Sequence, residues 1–465
     1  MLTIPLDTTS KLALYEQIYR YIKNEIIQET LPFQSKLPST RGLAAHLSIS
    51  RNTVDMAYAQ LLSEGYIEAF PKKGYFVSRI TALNIINHTE FIKNPPITVS
   101  SKTVLPYLYD FSPFSVDLSH FPYQTWHQLS KNCLQDNADL FLLGDSQGDL
   151  SLRQAITHYL HQSRGVNCEE DQLIVGAGVD YLLQMLAQLF GTTCHIAMEN
   201  PTYQRANKIF KGFKIKTIPI PLDSNGLNID ALERTDCTIA YVTPSHQYPL
   251  GIVMPIQRRI ELLRWANKCS HRYIIEDDHD SEFRYKGKPI PSLQSIASCD
   301  NVIYIGTFSR AIAPAIRVGY MVLPKPLLEE YKIKFSYFAS TVSRIDQAIL
   351  TEFINEGYFE RHLNRMRKVY KTKHDLILSS LKSSNLPIAI SGENAGMHLV
   401  VQLTNGMSEE SIIKRAKNNQ IKLYGLKEHF FTIPKNYDST FLFGYANLSE
   451  ADIQKGIHQF ATTCF

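Results

Sequence analysis

From Tyr109 onward, short apolar runs alternate with helical stretches, and this alternation constrains the fold of the 465-residue chain more than any other feature. The runs are Leu173–Val175, His195–Met198, Ile215–Ile220, Thr238–Val242, Tyr273–Ile275, Val302–Ile305 and Val318–Leu323. Strands buried on both faces read as unbroken apolar segments, and a helix between successive strands is what parallel pairing requires. The expectation is an α/β domain over residues 109–465, built on a mostly parallel sheet. After about Ser343 long helical segments precede shorter strands, which predicts a smaller C-terminal α/β subdomain.

Residues 1–78 follow a different pattern. Leu12, Leu14, Ile18, Ile22 and Ile26 recur at helical spacing. Ser39 after a proline and Ser50 after a tight Ser48-Ile49 connection are natural N-caps for two short helices. Two such helices on a minimal turn describe a helix-turn-helix, and the alternating run 66–77 with its tip at Lys72-Lys73-Gly74 describes a β-hairpin wing. The start of the second helix is the part that enters a major groove. There Arg51 and Asn52 can read base edges, Ser50 and Thr53 can bond phosphates, and Arg41 and the wing tip Lys72, Lys73 and Gly74 can add phosphate or minor-groove contacts. The net charge of +4 is too mild to argue for DNA on its own. Residues 79–108, with Asn94-Pro95-Pro96, lose periodicity and are expected to be an extended linker.

Seven scattered cysteines with no closely spaced pair predict reduced thiols in the cytoplasm rather than a disulfide framework. No leader-like start and no membrane-length apolar run is visible.

The second domain carries pieces suited to a phosphorylated ligand. Gly176-Ala-Gly178-Val179 lets backbone amides at a helix start approach a phosphate, and Thr307, Ser309 and Arg317 supply hydroxyls and a guanidinium. Tyr203, within Asn200-Pro-Thr-Tyr203-Gln-Arg205, offers a ring for stacking. The loop Thr243-Pro-Ser-His246-Gln-Tyr-Pro follows a strand, where open α/β sheets place ligands. Carboxylates in Glu276-Asp277-Asp278-His279-Asp280-Ser-Glu282 stand at a strand end, where one can face a protonated ring nitrogen. His279 is the only histidine in that run, so no metal site is expected.

Leu37-Pro-Ser-Thr-Arg-Gly-Leu-Ala, Ser50-Arg-Asn-Thr-Val and Gly74-Tyr-Phe-Val resemble the winged helix of GntR-type bacterial repressors, in which the positions of Arg41, Arg51 and Thr53 contact DNA. Asp55 departs from the basic residue often found there. The fragments from Gly144 to Arg317 resemble fold-type I, pyridoxal-phosphate-dependent aminotransferases, and the joint architecture resembles the MocR family of regulators, its gamma-aminobutyrate-responsive branch especially. The resemblance implies double-stranded operator DNA as partner, a small-molecule effector, and a head-to-tail homodimer. It also carries Tyr203 to ring stacking, Asp277 to the ring nitrogen, Gly178, Val179, Ser309 and Arg317 to the phosphate, and Arg205 to the effector pocket.

Three positions depart from that pattern. Arg310 stands where the family has the lysine that bonds the cofactor aldehyde, and a guanidinium is a poor nucleophile. His279 stands for a tyrosine that bonds the cofactor's phenolic oxygen. Asn447, in Gly444-Tyr-Ala-Asn447-Leu448, stands for an arginine that grips an effector carboxylate. The expectation is therefore a cytoplasmic DNA-binding regulator that holds pyridoxal 5'-phosphate or a related compound noncovalently, with no catalytic residue. The alternatives are a working pyridoxal-phosphate enzyme and a ligand-free dimerisation scaffold.

Overall fold

The computed structural model describes residues 2–7, 10, 12–79, 107–135, 137–285, 290–404, 406–434 and 439–463. The chain divides into two compact units, Met1–Lys102 and Thr103–Phe465. The expected linker 79–108 falls almost wholly outside the described residues.

In the first unit, helices Leu14–Ile27, Thr40–Leu47 and Arg51–Ser63 bury Ile18, Ile22, Leu43, Val54, Ala57, Tyr58 and Leu61 in one core. Leu12 lies before the first helix and is exposed, so the apolar stripe begins one turn later than its spacing suggests. Ser39 Oγ accepts from Gly42 N at 3.1 Å and Ser50 Oγ from Thr53 N at 3.2 Å, each satisfying an orphan amide of its helix. Ser48 takes a left-handed conformation (φ 55°) that ends one helix and lets the cap of the next, Ser50, follow two residues on. Strands Ile67–Phe70 and Gly74–Val77 pair antiparallel around a tip where Lys72 (φ 65°) and Gly74 (φ 104°) turn the chain.

The second unit is an α/β unit built on a large, mostly parallel sheet. Its eight-stranded sheet runs Leu173–Gly176, Gly319–Val322, Val302–Thr307, Tyr273–Asp277, Ile239–Val242, His195–Asn200, Lys216–Asp223, Gly226–Leu227. All seven apolar runs are strands of this sheet, and the central pairs are parallel. Gly319–Val322 runs antiparallel to both neighbours. The reason is length: only residues 308–318 separate it from Val302–Thr307, too few for the crossover that a parallel strand needs. The C-terminal subdomain is a four-stranded antiparallel sheet of Ile388–Ser391, His398–Leu403, Thr440–Gly444 and Tyr424–Gly425, packed with helices Tyr358–Ser383, Glu409–Asn418 and Glu450–Thr463. Tyr109–Asp110 pairs with Ile421–Lys422 in this subdomain, so the chain starts there before it enters the large sheet.

Candidate functional site

Carboxyl ends of the parallel strands lie along one edge of the large sheet, and the loops that leave them enclose a cavity of about 220 Å³. After Leu173–Gly176 come Val179 and Asp180; after His195–Asn200 come Tyr203 and Arg205; after Ile239–Val242 come Thr243 and Tyr248. Asp277 through Asp280 close the cavity from the next strand, and Thr307, Ser309, Arg310 and Arg317 from the following one.

One end is built for an anion. Ser309 Oγ is buried with no hydrogen-bond partner among the described residues. Arg317 is half-exposed, and its Nη2 donates to Ala177 O at 3.3 Å and lies 3.6 Å from Asp180 Oδ2. Gly178 (φ 83°) cannot be replaced freely, because a Cβ there would stand 2.8 Å from Arg317 Nη2. Arg205 Nη1 reaches the same Asp180 Oδ2 at 3.1 Å, and its guanidinium lies 5.9 Å from the centre of the Tyr203 ring.

At the other end the carboxylates divide into two kinds. Asp277 accepts from Tyr241 Oη, and burial pushes its carboxyl up to about 6 against that bond. Asp278, although buried, is held below the usual carboxylate range by Arg164, which donates through Nε at 2.9 Å and Nη2 at 3.0 Å. Asp280 is fully buried, which by itself would raise its carboxyl, yet the Arg310 charge holds it far below the ordinary value. Arg310 grips it as a fork, Nε to Oδ1 at 2.9 Å and Nη2 to Oδ2 at 2.8 Å, while Nη1 donates to Pro113 O at 2.8 Å. Burial also pushes the imidazoles of His246 and His279 down to about 4, so both are neutral near pH 7.

Of the candidate ligand residues, Val179, Tyr203, Arg205, Asp277, His279, Ser309, Arg310 and Arg317 border this cavity, with Gly178 immediately beneath Arg317. Asn447 does not. It is exposed, donates to Asp110 O at 3.2 Å, and belongs to a separate surface recess with Asp117 and Lys373. Tyr248, whose buried Oη has no partner among the described residues, borders the cavity and was not singled out by sequence. Its loop follows a strand end, a position legible in sequence; which of its side chains turns inward depends on tertiary packing.

In the first unit Arg41, Ser50, Arg51, Asn52, Lys72 and Lys73 are exposed, and Thr53 and Gly74 are partly so. Ser50 Oγ and Thr53 Oγ1 are 2.8 Å apart, so Ser50 is chiefly a helix cap. Asp55 sits one turn from Arg51 and 3.4 Å from its Nε, drawing that guanidinium along the helix.

Comparison with known proteins assigns both units. Residues 14–77 match the model of bacterial regulatory proteins of the gntR family, and residues 115–460 match that of aminotransferase class I and II. YdeL of Bacillus subtilis (strain 168), an uncharacterized HTH-type transcriptional regulator, is 39% identical over 97% of this chain and 97% of its own. MocR of Rhizobium meliloti, a probable rhizopine catabolism regulatory protein, is 30% identical over 97% of this chain and 94% of its own. The kynurenine aminotransferase of Pyrococcus horikoshii superimposes with a TM-score of 0.68 at 22% identity, covering 83% of this chain and 95% of that one, a likeness of fold. Among the described residues no helix is long and apolar enough to cross a membrane. The chain belongs to the MocR-type family of HTH transcriptional regulators, in which a gntR-family winged helix is joined to an aminotransferase class I and II domain.

Proposed function

We propose that this regulator binds operator DNA through Arg41, Arg51, Asn52, Thr53 and the wing, and senses pyridoxal phosphate or a related phosphorylated or amino compound noncovalently and without turnover. The observation that carries the second half is the Arg310–Asp280 fork. Arg310 takes the position of the family's cofactor lysine, and its nitrogens are engaged with a carboxylate and a backbone oxygen. A permanently protonated guanidinium neither attacks a carbonyl nor moves a proton at neutral pH.

The remaining residues fit a phosphorylated pyridine. Ser309 Oγ lacks a partner in a buried position, where an acceptor-rich phosphate would satisfy it. Gly178, having no Cβ, lets the Arg317 guanidinium lie against the backbone at this end, and Arg317 adds charge. Tyr203 would cover the ring, Asp277 would face the ring nitrogen, and His279 or Tyr248 would meet the phenolic oxygen. When bound, pyridoxal phosphate supplies an electrophilic aldehyde and an electron-withdrawing ring; this chain's own groups orient it and hold its charge. The recess that contains Asn447 gives no support to a carboxylate anchor at that residue.

A homodimer is also part of the proposal. Phe141, Leu142 and Leu143 are consecutive and 70%, 64% and 88% exposed, a run that an isolated soluble surface rarely carries.

Pyridoxal phosphate added to the purified chain tests the sensor: saturable binding with no borohydride-fixed adduct is expected, and R310K should then give an adduct at position 310. An adduct on the unaltered chain would favour the enzyme reading, and no binding by either protein would leave the scaffold. Failure to shift its own upstream DNA at low salt would overturn the regulator.

A further inference from the structure

Beside the cavity, three side chains converge that the proposed function does not use together. His246, His279 and Asp280 each offer one ligand atom, and these atoms all lie within 4.8 Å of one another. His279 Nδ1 stands 3.8 Å from Asp280 Oδ2, and the two imidazoles stack 6.0 Å apart with their planes 9° from parallel. Both nitrogens of His246, which is wholly buried, and Nδ1 of His279 have no hydrogen-bond partner among the described residues. The Ala395 backbone comes near the His246 ring but without hydrogen-bond geometry. Buried polar atoms are seldom left so, and ligand atoms gathered within a few ångströms of one another are what a cation joins.

We propose that His246, His279 and Asp280 form a binding site for a borderline divalent transition-metal ion, with Zn²⁺ as the representative case. Two imidazole nitrogens and one carboxylate oxygen suit Zn²⁺ or Co²⁺ and do not suit Mg²⁺ or Ca²⁺, which take oxygen ligands. Ligands on tetrahedral bonds of about 2.1 Å stand about 3.4 Å apart, so the present spacing needs only a small side-chain contraction. His246 is fixed for the purpose: a Cβ on Gly396 would stand 2.1 Å from its Cε1, so the ring fills a slot that only glycine leaves open.

Arg310 is the one group that opposes the ion, since it already grips Asp280. A carboxylate has about four lone-pair sites and Arg310 uses two of them, leaving one on the Oδ2 side toward His279. In that arrangement Arg310 orients the ligating carboxylate, as hydrogen-bonded partners of metal ligands commonly do. The repulsion between guanidinium and cation is lessened because both would share the Asp280 carboxylate. His279 itself stands where the family resemblance has a tyrosine, so the triad departs from the pattern that the resemblance implies. The inference does not depend on whether a phosphorylated pyridine binds.

The test uses the full chain stripped with a chelator and titrated with Co²⁺, then with Zn²⁺ in competition. One Co²⁺ per chain is expected, with the visible bands of nitrogen and oxygen ligation, displaced by Zn²⁺. H279Y, which restores the family's ring, and H246Q should each weaken binding at least tenfold while thermal melting shows a folded protein; the double substitution C269S/C299S should leave it unchanged. If H246Q does not fold, H279Y alone decides. Absence of stoichiometric binding, cobalt bands of thiolate ligation alone, or affinity unchanged in H279Y would each overturn the proposal.

Discussion

Arg310 and Asp280 are 14% and 0% exposed in their side chains, so neither charge can turn to water if the other is removed. Breaking such a pair from one side costs about 3–5 kcal/mol, whereas removing both charges together costs far less. R310A should therefore lower the urea midpoint strongly, and adding D280N should recover most of the loss; a double-mutant cycle measures the coupling. Glu199 carries a prediction about pH. Burial, only partly opposed by bonds from Thr243 and Gln247, raises its carboxyl from an ordinary 4.5 to about 7. A raised carboxyl keeps its proton in the folded state while the unfolded chain loses it, so stability falls as pH rises through that window. E199Q carries no such proton. Its stability relative to the unaltered chain should climb between pH 4.5 and about 7 and then level, as followed by unfolding at several pH values.

At the scale of elements, the helix Arg51–Ser63 is where DNA binding can be tuned without touching the cavity. The exposed Arg51–Asp55 pair contributes little to stability, but its carboxylate lies beside the helix start proposed to enter the groove and restrains the guanidinium. In gel shifts at fixed salt, R51A should weaken operator binding by about 1–3 kcal/mol and D55N should tighten it. The long elements were legible because their physics is local. Parallel strands buried on both faces leave unbroken apolar runs, and Ser39 and Ser50 announce helix starts by their own side chains. Two-residue strands such as Tyr109–Asp110 and Gly226–Leu227 carry no period, and only their partners define them. The same division holds in the candidate site. Tyr203, Asp277, Ser309 and Arg317 sit in loops marked by strand ends and glycines, whereas Tyr248 and His246 matter only through what folds against them. Asn447 was placed by its motif; the motif says nothing of which side of the subdomain the chain exits after Thr440–Gly444.

For the molecule as a whole, the exposed run Phe141, Leu142, Leu143 sets the assembly question. On the proposed homodimer, replacing Leu142 and Leu143 with aspartate should shift the chain from dimer to monomer in light scattering while each unit keeps its fold. Operator affinity should fall with it, because two linked winged helices bind paired half-sites far more tightly than one. The antiparallel strand Gly319–Val322 has a consequence in time rather than in space. Its partner Val302–Thr307 is separated from it by one short loop, so the two can meet at low cost in chain entropy, while the strands that bring Tyr203 and Asp277 must wait for long crossovers. Pulse-labelled amide exchange during refolding should accordingly protect Tyr304 and Val322, which face each other across this hairpin, before Ala240 and Ile274. The anion-facing loop would then exist as a formed hairpin before there is a cavity for it to line.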